Sequence, residues 1–248
     1  MQQTTKKGHG KFSGRALLFA TAVLLSITLG VMQFAFAVPN GAQMSFNSSQ
    51  TSTSINPTEL NDSGGTISTL KLSTVQQDSA WKGYLGNVSG SLTLDDLVGN
   101  TIYNWQLATV TGKVFASRSN SVTWSSINCS NQTYVDAEQT ALSFASADSD
   151  SINKTFNSTN HQAFLVAARN MTGCRSTATY VNDTTQAQVP GALFQEAVLT
   201  DGSAFVYASL INTQRQGFNA QFTDFQMIVP QSKSTATPTP YYFYIELG

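Results

Sequence analysis

From residue 66 to residue 248, apolar side chains fall into runs of four to nine residues, separated by Gly, Asn and Asp. The runs cover 66–74, 81–85, 90–94, 101–107, 113–116 and 121–127, then 163–167, 193–199, 204–212, 222–229 and 241–247. Runs this short are too brief for core helices but suit strands, and alternation is plain in Ser91-Leu92-Thr93-Leu94 and Ser121-Val122-Thr123-Trp124. About ten strands at this spacing predict a mainly β chain folded as an antiparallel β-sandwich.

Between the two cysteines the period lengthens. Tyr134, Ala137, Ala141 and Phe144 fall on one helical face, so one short helix packed on the sheets is expected, with Asp136 and Glu138 in its first turn. Residues 146–160 read as a polar loop, and 230–240, with three prolines, as a hairpin loop between the last two strands. Residues 38–65 are polar and poor in aromatics, a composition that does not order by itself, and are read as an N-terminal arm or linker. Residues 66–248 are expected to form a single domain.

The first 37 residues have a different character. Lys6, Lys7, Lys11 and Arg15 precede an apolar run from Ala16 to Val31, and Ala35-Phe36-Ala37 supplies an A-x-A site. This order describes a secretory signal peptide with a helical apolar part, 1–37, cut before Val38. Kept uncut, the 22 residues from Ala16 to Ala37 are long enough to anchor the chain in a bilayer. Either outcome puts the remainder outside the cytoplasm, in an extracellular or cell-surface location, and the membrane is met only through this segment if it stays uncleaved. Of the 13 basic and 14 acidic residues of the whole chain, four basic ones lie in the leader, leaving 9 against 14, a net charge of −5. That balance excludes a basic nucleic-acid-binding face.

Charged residues make up only 11% of the chain, so another source of solubility is needed. Nine Asn-x-Ser/Thr sequons offer one: Asn47, Asn61, Asn87, Asn128, Asn131, Asn153, Asn157, Asn170 and Asn182. They are read as acceptors of N-linked glycans. The two cysteines, Cys129 and Cys174, lie 45 residues apart with no CxxC spacing and no cluster of histidines, which in an oxidising compartment favours a disulfide over a metal site.

Residues that carry chemistry are few. His161 is the one imidazole after the leader and sits in a polar stretch, where a solvated surface histidine is expected; a Ser-His-Asp or Cys-His arrangement would have to use it. Asp95-Asp96 is adjacent and reads as turn chemistry. Asp148-Ser149-Asp150 places oxygens at alternate positions like a calcium loop but lacks the required Gly and distal Glu. Trp81, Trp105 and Trp124 with eight tyrosines offer material for a sugar platform, although aromatics on strands more often form core. No enzyme, cofactor or metal is expected.

Several stretches carry a resemblance: Trp81 with Gly86-Asn87-Val88-Ser89-Gly90, Leu92-Thr93-Leu94-Asp95-Asp96, Tyr103-Asn104-Trp105 and Ala116-Ser117-Arg118. Ser121 through Ser130, Asp224 through Pro230 and Tyr241 through Glu246 add to it. Together they resemble an uncharacterised family of secreted, β-rich archaeal cell-surface proteins with no established function. The resemblance implies a surface protein and brings no activity. The expectation is a structural or adhesive subunit that acts by assembling with itself or with other surface proteins, as a filament or surface layer. The alternative is a monomeric extracellular binding module, for example for carbohydrate.

Overall fold

The structure, a computed structural model, describes residues 38–50, 78–106, 110–235 and 237–248. The expected leader, Asn61 and the expected strand at 66–74 lie outside the described residues. The described residues form one compact unit.

The fold is mainly β and every strand pairing in it is antiparallel. In chain order the strands are β1 (Asn40–Gly41), β2 (Trp81–Gly86), β3 (Ser91–Asp95), β4 (Thr101–Gln106), β5 (Gly112–Ser117), β6 (Asn128–Cys129), β7 (Phe164–Val166) and β8 (Arg169–Met171). There follow β9 (Ser176–Ala178), β10 (Gln195–Thr200), β11 (Phe205–Leu210), β12 (Arg215–Gln216), β13 (Phe222–Thr223), β14 (Phe225–Pro230) and β15 (Tyr242–Leu247). Helix α1 (Gln132–Ala141) and the single turn α2 (Ile152–Thr155) stand between β6 and β7.

The main sheet runs β1-β15-β5-β11-β10. The far edge of β10 is divided: β9 pairs with Gln195–Ala197 and β6 with Leu199 and Thr200. Alternate residues send apolar side chains to both sides of this sheet. Val114, Ala116, Val198, Phe205 and Tyr207 join Phe225, Met227 and Val229 of β14 and Val135 of α1 in one core. Phe115, Ala197, Leu199, Val206 and Ala208 join Trp124, Ile127, Phe164 and Met171 in the other. All six residues of β10 are therefore buried.

The polar arm is not wholly unordered. Asn40 and Gly41 pair with Ile245 and Tyr244, and the Ala42 N–H donates to the Phe243 carbonyl, so the arm's first residues take up the outer edge of β15. Four further expectations need correction. Residues 121–127 form no strand: Trp124–Ser126 is a 3-10 turn. It is held where the Thr123 N–H and Ser126 hydroxyl donate to Asp201 (2.7 and 3.2 Å), and Trp124 packs at a tilt on Phe115 and edge-on to Tyr244. The run 222–229 is broken at Asp224, a buried carboxylate that accepts the N–H groups of Val88 and Gln214 (2.7 and 2.8 Å). Residues 230–240 are not a hairpin loop, because β14 pairs with β2 whereas β15 pairs with β5 and β1. The loop instead carries the chain from the β2–β14 ribbon to the main sheet. Within 146–160, the turn α2 is capped by Ser151, whose hydroxyl accepts the Lys154 N–H.

Helix α1 begins two residues before Tyr134, capped by the Asn131 side chain, so Asp136 and Glu138 fall outside its first turn. Its buried face is Val135, Glu138 and Gln139, continued by Leu142, while Ala137 and Ala141 are exposed. An i, i+3, i+4, i+7 stripe is present, but two of its members are polar and so escape a count of apolar residues.

Candidate interaction surface

The residues with chemical potential are first accounted for by the fold. Cys129 and Cys174 form a disulfide with Cα atoms 4.8 Å apart. It joins β6 to the segment leading into β9, the two short strands that share the edge of β10. Closing a loop of 45 residues restricts the unfolded chain by about 4 kcal/mol in the chain-entropy model.

His161 is buried, not solvated as the sequence suggested. Its Nε2 accepts the Cys174 N–H (2.8 Å), which assigns the proton to Nδ1, donated to the Gln162 carbonyl (2.8 Å). The ring therefore braces the disulfide segment, with Phe164 packed against it. Of Asp148 and Asp150, each contacts the Lys233 ammonium (2.9 and 2.6 Å), which also lies 4.7 Å from the Phe144 ring centroid. A lysine occupies the place that a calcium reading would give to the ion. Burial raises the Asp78 carboxyl, reinforced by its hydrogen bond with Asp150. The three tryptophans do not meet: Trp124 is core, and the Trp81 indole N–H donates to the Asp150 carbonyl.

Three ionisable groups that motif reading passed over lie between the sheet and its covers. Arg118 grips the buried Glu138 with two hydrogen bonds (2.9 and 2.5 Å), beside a groove of about 380 Å³ that Ser117, Tyr134 and Phe205 also line. Glu196 on β10 is fully buried; one carboxyl oxygen accepts the Ile228 N–H (2.8 Å) and the other has no partner. Burial pushes this carboxyl well above the usual carboxylate range. None of these groups forms a nucleophile–base pair, and among the described residues no group of three or more His, Cys, Asp or Glu is placed to hold a metal ion.

Of the eight sequon asparagines described, Asn47, Asn87, Asn128, Asn131, Asn157, Asn170 and Asn182 are exposed and Asn153 is half-buried. Asn131 uses its carbonyl oxygen to cap α1, not the nitrogen that a glycan would take. Asn128 is more committed: its nitrogen donates to the Ser126 carbonyl and its oxygen accepts from Arg169. Asn153 accepts from Arg175.

The remaining surface feature is the ribbon of β3 and β4. The two strands pair with each other and with no other described strand. Every residue of β4 is exposed. Register sets Thr93 opposite Asn104 and Leu94 opposite Tyr103. Because side chains alternate, Leu94, Tyr103 and Trp105 share one face and Thr93 and Asn104 the other. The Tyr103 and Trp105 rings pack at a tilt of 58° with centroids 4.7 Å apart, yet they remain 57% and 46% exposed. At the tip, Asp96 accepts the N–H groups of Val98 and Asn100 (2.9 and 2.8 Å) and the Asn100 side-chain amide (2.8 Å), while Gly99 takes φ +90°. The Asn100 amide and these backbone donors hold the Asp96 carboxyl below its usual range. The turn pushes Leu97 and Val98 fully outward. The result is an amphipathic ribbon whose apolar face and tip meet water. Compared with known proteins, the chain matches no family model, no curated protein and no solved structure.

Proposed function

We propose that this is an exported, glycosylated structural or adhesive protein of the cell surface that acts by assembly, its body a β-sandwich in which the β2–β14 ribbon covers one face of the main sheet. The observation that carries this reading is the β3–β4 ribbon. A two-stranded ribbon is marginal in water unless one face is covered, and an exposed apolar patch of this kind marks an interaction site. Supporting features are the leader-like N-terminus, the disulfide, and sequon asparagines that lie mostly at the surface. The resemblance to secreted archaeal proteins points the same way, and no enzymatic role is proposed. Assembly by exchange of the N-terminal arm is the less favoured route, since residues 40–42 already lie along β15 of their own chain.

Electron microscopy of sheared native surface material, with the protein identified by mass spectrometry, tests the reading. Filaments or lattices containing the chain are expected; dispersed single particles contradict it. The exposed, mutually packed Tyr103–Trp105 pair favours a second reading, a carbohydrate-binding module. It predicts sugar-dependent quenching of Trp105 fluorescence in a monomer.

A further inference from the structure

We propose that the apolar face of the β3–β4 ribbon packs against the same face of a second copy of the chain, with the two ribbons antiparallel. This rests on the assembly reading and names its partner. Four observations select a second copy. The first is area. On this face and at the tip beside it, Leu94, Leu97, Val98, Tyr103 and Trp105 are between 46% and 107% exposed. At about 200 Å² for a fully exposed residue of this size they offer roughly 700 Å² per copy, within the range each partner contributes to a stable interface of standard size.

The second is self-complementarity. The face holds aliphatic and aromatic groups and no charge, so the same patch on both partners makes an isologous contact without unpaired buried ions. The third is the charge at the tip. Asp95 and Asp96 stand at one end of the ribbon, and an antiparallel arrangement sets the two carboxylate pairs at opposite ends of the contact. A lipid surface would instead press both carboxylates toward the headgroups. The fourth is shielding. Residues 88–127 and 183–248 contain no sequon, so no N-linked glycan attaches to the ribbon. The outer edge of β4 also lacks the charges and prolines that normally blunt a free strand.

The test uses the exported protein and its Tyr103→Ser/Trp105→Ser double variant in sedimentation velocity over a hundredfold range of concentration. Wild type is expected to self-associate, and the variant to do so at least tenfold more weakly with an unchanged melting temperature. A Tyr103→Cys variant should form covalent dimers under oxidation, whereas Asn104→Cys on the opposite face should not; this readout holds even if the double variant folds poorly. Wild type and variant associating equally would overturn the ribbon contact while leaving assembly intact. A wild type that stays monomeric would also overturn it, including one that floats with phospholipid vesicles through the same residues. In that case, filaments in native surface material would still uphold the assembly reading, and their absence would remove both.

Discussion

Two hairpins in this molecule use similar strands for opposite ends. β10 and β11 pair over Glu196–Thr200 and Ser209–Phe205, and their residues are buried apart from Leu210 at the end. β3 and β4 pair over a comparable length, and β4 is exposed on both faces. The first hairpin has partners beside it and above and below it, so its polar members Glu196 and Gln195 are trapped in the interior. The second has no partner strand among the described residues, and its aromatic members are exposed. Alternation therefore specifies a two-faced strand but not how many of its faces are covered; that depends on which other segments arrive.

Substitutions should separate the two regions sharply. The largest effect is expected where the edge of β10 is stapled. A Cys129→Ala/Cys174→Ala variant should lose about 4 kcal/mol, read as a fall in the denaturant midpoint, with hydrogen-exchange protection falling first in β9 and β6. Next comes the Arg118–Glu138 pair. Arg118→Ala leaves Glu138, whose side chain is 5% exposed, without its counter-ion, and a loss of about 3 kcal/mol is expected in the same assay.

Glu196→Gln sharpens the picture in the other direction. Burial raises the folded-state pKa above that of the unfolded chain, so the folded form binds the extra proton. Stability from this group is full below the ordinary glutamate range and declines as pH rises toward the shifted value. The variant has no such decline. It should therefore gain on wild type by up to about 1.4 kcal/mol per pH unit across that window, measured by urea unfolding from pH 4 to 8. Parallel curves for the two proteins would refute the raised pKa of Glu196.

A smaller gain is expected at the β7–β8 turn, where Ala167 and Ala168 both adopt positive φ (45° and 71°). Ala168→Gly removes the Cβ strain and should stabilise by about 1 kcal/mol. The smallest change in monomer stability belongs to the ribbon: Leu97→Asp should shift it by less than about 0.5 kcal/mol. A ribbon substitution that unfolds the protein would erase the contrast between the two hairpins.

The sequence conveyed the β class, the disulfide and most strand positions because these depend on local alternation and on cysteine number. It failed where polar side chains do structural work. Glu138 and Gln139 face inward on α1 because Arg118 and the Asn153 N–H receive them, partners that lie distant in the chain or off the helix. His161 looked solvated because its stretch is polar, yet the Cys174 N–H and the Gln162 carbonyl satisfy both ring nitrogens. The 230–240 loop was misread because a hairpin and a crossing between layers have the same composition. For the interaction surface, Tyr103 and Trp105 were visible as aromatics, but their alternation looks the same whether a core covers it or water does.

Hydrogen exchange on the protein, followed from dilute to concentrated solution, compares the hairpins in one experiment. Amides of β10 and β11 are expected to be protected throughout, and the paired amides of β3 and β4 to pass from fast to slow exchange as concentration rises. Fast exchange in β3 and β4 at every concentration, in samples that nonetheless assemble, would contradict the ribbon as the contact between copies.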